Sequence, residues 1–170
     1  MKKIAKALVV VGLVASMAIG MVGCGSKPVD GSQVVATVGE KEMTLGEANF
    51  LLRYQQVQTE TYYESMLGEG IYNMDLYGTG STYGADFKAD VMRQMQEYYV
   101  IEEKAADYGV ALTEEDTAAI AEAAKAFVEA NEAATLEQMS ADQATVEKVL
   151  TLMTLRSKVA AAVKAEADVT

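Results

Sequence analysis

Residues 87–109, FKADVMRQMQEYYVIEEKAADYG, decide the fold class. Phe87, Val91, Met95, Tyr98, Ile101, Ala105 and Tyr108 advance by 4, 4, 3, 3, 4 and 3 residues, the spacing that lines side chains along one face of an α-helix. Gly109 is the left-handed residue expected just past a helix end, and Val110 is placed for the apolar contact that accompanies such a cap. Working outward, Thr113-Glu114-Glu115-Asp116 opens the next helix with acids at its positive end, and Ile120, Ala124, Phe127 and Val128 form its buried face as far as Asn131. Upstream, Thr44-Leu45-Gly46-Glu47 has capping-box spacing. It predicts a helix to about Leu67, with Phe50, Tyr54 and Val57 on one face and Gln55, Gln56 and Glu60 on the other. Downstream, Ser140-Ala141-Asp142-Gln143 repeats that spacing ahead of a face made of Val146, Leu150, Met153, Ser157 and Ala160.

Two segments lack a helical period. Val34-Val35-Ala36-Thr37-Val38 is a β-branched run that stops at Gly39-Glu40 and is followed by Met43-Thr44, which predicts a short strand or hairpin. Between Gly68 and Gly84 lies a long loop holding Tyr72, Tyr77 and Tyr83, expected to fold back on apolar surface. Glu69, Asn73 and Asp75 are oxygen donors within it, but their spacing is not that of an EF-hand. The fold class is therefore mainly α, with a short N-terminal strand or hairpin followed by about four helices. There is no βαβ alternation, no glycine-rich phosphate loop and no Cys or His cluster.

Composition narrows the function classes. With 170 residues, 51% of them hydrophobic and 23% charged, the chain holds one domain with a real core. The formal charge is −11. Lys2, Lys3 and Lys6 are the only charges before Cys24, and without them 11 basic residues face 25 acidic ones, a balance of −14. Such a surface repels phosphate backbones and argues against nucleic-acid binding. Histidine is absent, which removes Ser-His and Cys-His nucleophile pairs and His-based zinc sites. The carboxylate pairs Glu102/Glu103 and Glu114/Glu115 are sequence neighbours on helices and point apart, so no catalytic residue, cofactor or metal site is expected.

The N-terminus reads as an export signal, residues 1–23: a basic start, an apolar stretch from Ala7 to Val22, then Gly23 and Gly25 flanking Cys24. That stretch is shorter than the ~20 residues that span a bilayer comfortably. A lone thiol has no internal disulfide partner. Residues 24–33, with Pro28 and Gly31, read as a tether, and residues 34–170 as the helical domain.

Met21-Val22-Gly23-Cys24 resembles the bacterial lipobox. The resemblance implies diacylglycerol on the Cys24 thiol, cleavage before Cys24 and anchorage on the extracytoplasmic face of the membrane; two acyl chains suffice for stable anchoring. The leader, the Val34–Thr44 opening with its capped helix, and the run from Val91 through Tyr108-Gly109-Val110 to Thr113-Glu114-Glu115 together resemble the N-terminal chaperone module of the SurA and PrsA foldases, over roughly Val34 to Ala167. That family commonly shows Val-Asn-Gly in the hairpin turn, where this chain has Val38-Gly39-Glu40.

The resemblance implies a membrane-anchored helper that binds unfolded segments of exported polypeptides without chemistry. The family's parvulin isomerase domain has no counterpart in these residues, so that activity is not carried over unless the natural chain continues past Thr170. Tyr54, Tyr62, Tyr63, Met95, Tyr98 and Tyr99 are the residues expected to line the client surface, Tyr63 and Tyr99 above all because they leave the buried stripes. The alternative is a small structural or interaction lipoprotein with one dedicated envelope partner. Since the resembled module is completed by a later helix, the face made by Val91, Met95, Tyr98 and Val149 to Met153 is expected to need a cover: the Tyr-rich loop, a second copy forming a homodimer, or client.

Overall fold

The computed structural model describes residues 30–67 and 70–167. A β-hairpin comes first, β1 (Val34–Val38) antiparallel to β2 (Lys41–Thr44), with Val38 opposite Lys41 and a bulge between Val34 and Ala36. Gly39 has φ 60° while Glu40 keeps a negative φ, the sign pattern of a II′ turn, which asks for Gly first and not for the Asn-Gly of a I′ turn. The fold also takes in residues that read as tether. The Gly31 and Gln33 carbonyls accept from Gly46 and Leu45 N–H at 2.9 and 2.7 Å.

Five helices follow: α1 (Leu45–Leu67), α2 (Tyr83–Lys104), α3 (Glu114–Ala130), α4 (Ala133–Met139) and α5 (Gln143–Ala167). The mainly helical class with its N-terminal hairpin is as expected. Of the two expected capping boxes the one at Thr44 holds, and a further box forms where α3 is expected to open. Thr44 N–H donates to Glu47 Oε2 at 2.8 Å while Glu47 N–H donates to Thr44 Oγ1 at 3.3 Å, and Thr113 and Asp116 satisfy each other in the same way. Gly109, at φ 64°, ends a short 3-10 turn, Ala105–Tyr108, with Val110 N–H on the Ala105 carbonyl at 3.0 Å, a Schellman closure. Val110 packs beside Ala105, Leu155 and Val159 in a small second cluster.

Four sequence expectations are corrected. The stripe of residues 87–109 stops facing the core at its end, leaving Tyr108 exposed, because the tighter 3-10 turn has ~3.0 residues per turn and rotates the period out of register. Ser140 does not cap α5. It closes the short helix α4 in the left-handed conformation, φ 55°, and Asp142 caps α5 instead, accepting Thr145 N–H at 2.7 Å. Along α5 the buried set is Val146, Val149, Leu150, Leu152, Thr154, Leu155 and Val159, and Ala160 is exposed. This helix packs against α1, α2 and α3 at once, so its apolar residues surround it and do not form one stripe. Finally, the long loop is shorter than read. Ile71–Asn73 is a 3-10 turn with Ile71 buried, and α2 already begins at Tyr83 behind the N-cap Thr82.

One core joins all of this. Phe50 and Leu51 of α1, Val91, Met95, Tyr98 and Tyr99 of α2, Ile120 and Phe127 of α3, Met139 of α4 and Val149, Leu150 and Leu152 of α5 are mutually packed, with Met43 beneath the hairpin. Phe50 meets Phe127 edge to face at 5.5 Å. The face expected to lack cover is therefore closed by the chain's own helices.

Candidate interaction surface

The helices α1 and α2 run antiparallel, with contacts pairing Glu47 with Tyr99, Gln55 with Gln94 and Tyr63 with Tyr83. The 23 residues of α1 extend about 34 Å at ~1.5 Å per residue. Its first turns lie in the core, and its last turns form an arm with the start of α2. The tip of this arm is an aromatic cluster. Tyr62 and Tyr63 have ring centroids 5.1 Å apart, Tyr63 and Tyr83 6.2 Å, Tyr72 and Tyr83 5.3 Å, and Tyr72 and Phe87 5.6 Å. These spacings are those of edge-to-face and tilted aromatic pairs.

The local sequence builds the tip. Buried Ile71 anchors the 3-10 turn, and the Tyr72 hydroxyl lies 3.4 Å from the Gln56 carbonyl. Gly84 lets the turn approach α2, since a Cβ there would stand 2.7 Å from the Tyr72 carbonyl oxygen. That need for space is why a glycine sits inside the first turn of a helix. From Met74 the chain leaves and returns, Tyr83 N–H donating to the Met74 carbonyl at 2.7 Å. Within the excursion the Asp75 carboxylate accepts Thr79 N–H at 3.0 Å and Gly80 N–H at 2.8 Å. Those bonds, from Gly80 above all, hold the Asp75 carboxyl below its ordinary range. Glu69, another oxygen donor of this loop, lies outside the described residues.

The outer face of the tip is apolar and open: Tyr62 is 61% exposed, Met66 65% and Tyr77 67%, with Tyr63, Met74 and Leu76 also exposed. Burial, and then the neighbouring Tyr63 and Tyr77, raise the Tyr83 phenol, so it stays neutral at ordinary pH.

The six residues expected to line a client surface separate into two groups. Tyr62 and Tyr63 are on the tip. Met95, Tyr98 and Tyr99 are core residues, with Tyr99 only 1% exposed, and Tyr54 is half-buried beside Phe50 at 6.1 Å. Tyr99 leaves the α2 stripe but enters the space under the hairpin. Its hydroxyl donates to Glu47 Oε2 at 2.8 Å and lies 3.2 Å from the Glu42 carbonyl. Burial and the Glu47 carboxylate push this phenol far above its usual range. Burial likewise raises the Tyr54 and Tyr98 phenols. Lys148 of α5 sits over the Tyr99 ring, 5.0 Å from its centroid, and reaches Glu102 at 2.9 Å, which Lys41 of β2 also contacts at 2.7 Å. Burial works to raise the Glu102 carboxyl, but the two ammonium groups prevail and its pKa lies below the ordinary value. This chain of polar contacts ties the hairpin to α1, α2 and α5.

Met66, Met74 and Leu76 are not singled out by the sequence, and Tyr77, expected to fold back with the loop, is instead exposed. The loop's apolar content is visible in the sequence, and among its described residues Ile71, Tyr72 and Tyr83 pack inward, while Leu76 and Tyr77, beside the Asp75 turn, stay exposed. At the other end of α1 an open groove of about 850 Å³ runs between Gly31–Ser32, α4 and the start of α5. Of the charged side chains on its wall, Glu47 is engaged by Tyr99, Lys148 by Glu102 and Asp142 by the Thr145 N–H. Among the described residues no group of three or more His, Cys, Asp or Glu side chains is placed to hold a metal ion, and no helix is long and apolar enough to cross a membrane. Cys24 and residues 1–23, read as an export signal, lie outside the described residues. No known protein family, curated protein or solved structure matches the chain.

Proposed function

We propose that the chain is a lipid-anchored, extracytoplasmic folding helper whose arm tip holds unfolded segments of exported polypeptides by contact alone. The observation that supports this reading best is the open surface of Tyr62, Tyr63, Met66, Met74, Leu76 and Tyr77 at the end of an arm whose own core is closed elsewhere. Tyr combines ring area with a polar edge, and Met changes shape at little cost, so the pair accepts many apolar sequences. Burying one large apolar side chain gives ~1.5–3 kcal/mol, and ordering the partners consumes much of the sum. The result is a weak, reversible hold, as a helper that must release its client requires.

The test is suppression of aggregation, read by light scattering, for two unrelated proteins diluted from denaturant. The parent chain slows both, and a Tyr62→Ser, Met66→Ser, Tyr77→Ser variant loses most of the effect while keeping its helical circular dichroism. Equal suppression by the variant removes the tip from the reading, and suppression of neither protein removes the chaperone role. The anchor is tested separately: Cys24→Ser moves the protein from the membrane fraction to the soluble fraction, and retention of the uncleaved variant in the membrane argues for a signal anchor instead.

A further inference from the structure

The charge distribution around the tip goes beyond a general affinity for unfolded chains. The sequence from residue 59 to residue 90, whose described part makes the arm's end, contains six acids and one base, Lys88. Among the described side chains, Asp75 lies beneath the Leu76–Tyr77 turn and Asp86 sits in the first turn of α2 between Tyr83 and Phe87. The only cation of the neighbouring turn, Arg93, is paired with Asp90 at 2.9 Å. Exposed tyrosine faces add a second attraction of the same sign, because a ring's π-face is negative and draws an ammonium or guanidinium within ~6 Å of its centroid. The protein uses this contact internally, where Lys148 stands 5.0 Å over Tyr99.

From these we infer that the tip selects extended segments in which Leu, Phe or Tyr side chains are flanked by Lys or Arg, and discriminates against segments with the same apolar residues flanked by Glu or Asp. This rests on the tip being the binding surface. Apolar side chains supply the contact, while the carboxylates and ring faces set which flanks are accepted. Like charges brought together at an interface are strongly disfavoured, and opposite charges steer the encounter. Both effects operate over about a Debye length, ~10 Å at 0.1 M salt.

The probes are two fluorescent, unstructured 15-residue peptides with identical Leu, Phe and Tyr positions, one with Lys flanks and one with Glu flanks. Binding to the full chain in non-ionic detergent is followed by anisotropy at low and high salt. The expected result is at least tenfold tighter binding of the Lys peptide at low salt, with the gap shrinking to about twofold or less at 0.5 M. Tyr62→Ser with Tyr77→Ser weakens both peptides. Asp75→Asn with Asp86→Asn weakens the Lys peptide, strengthens the Glu peptide and leaves the helical circular dichroism unchanged. Equal affinities at low salt, or tighter binding of the Glu peptide, overturn the charge selectivity while leaving the tip as a binding surface. Binding of neither peptide overturns both.

Discussion

Tyr99 shows what a single side chain contributes here. Its ring fills the space between hairpin and helices, and its hydroxyl supplies a hydrogen bond to the buried Glu47 carboxylate, whose other partner is the Thr44 N–H. Removing one donor from a buried charge costs about 1.5–3 kcal/mol. Tyr99→Phe should therefore lower stability by roughly that amount, read from urea midpoints with an unchanged m-value, whereas Tyr77→Phe on the exposed tip should stay within ~0.5 kcal/mol. A Tyr99→Phe protein as stable as the parent would mean that the carboxylate draws its stability from Thr44 alone. The Thr44–Glu47 pair was legible in the sequence because a capping box is local, three residues end to end. The Tyr99–Glu47 bond joins residues 52 positions apart, and nothing in the spacing of Tyr98 and Tyr99 says which of the two turns toward the hairpin.

Helix ends carry the next level of organisation, and α3 gives the clearest case. Asp116 accepts from Thr113 N–H at 2.7 Å and is also paired with Lys158 of α5, so one carboxylate both caps its own helix and ties it to the central one. The Lys158 contact, then the Thr113 N–H, lower its pKa to about 2, against an ordinary value of 3.8. A depressed folded-state pKa adds stability that is complete above the unfolded value and is lost as the pH falls through the folded one. The parent should lose this contribution between about pH 4 and pH 2, and Asp116→Asn should flatten that part of the stability profile while costing about 1 kcal/mol near neutrality. Equal slopes for the two proteins would show that the pair contributes nothing. The cap of α1 and the start of α3 at Thr113 could be read directly, but the cap ahead of α5 could not. Ser140 and Asp142 both suit an N-cap, and the choice is made by Asn49 of α1, whose amide donates to the Gln138 carbonyl and Ser140 Oγ at 2.9 and 3.0 Å and fixes Ser140 as the end of α4. The face of α5 is not legible for a related reason: a helix with partners on several sides has no single stripe to find.

At the scale of the molecule, body and arm have different requirements. In the body, α5 closes the face of Val91, Met95, Tyr98 and Val149 to Met153 against α1 and α3, so that face needs neither a second copy nor the Tyr-rich loop as a cover. In the arm, Ile71 and Tyr72 seal the end, and the excursion from Asp75 to Ser81 adds exposed Leu76 and Tyr77 without burying a large side chain. The two ends of that excursion are already joined by the Tyr83 to Met74 hydrogen bond of 2.7 Å, which makes a short connection geometrically feasible. Replacing residues 75–81 with Gly-Ser, keeping Thr82 as the cap of α2, should therefore change the unfolding free energy by less than ~1 kcal/mol. Loss of ordered loop residues offsets the loss of the Asp75 turn. Binding of an environment-sensitive hydrophobic dye should fall, because the replacement removes open apolar surface and uncovers none. A rise in dye binding, or a shift of the protein to a larger species in light scattering, would mean that the loop shields an apolar face after all. Only the first outcome is compatible with a body that closes its own core and an arm built to remain open.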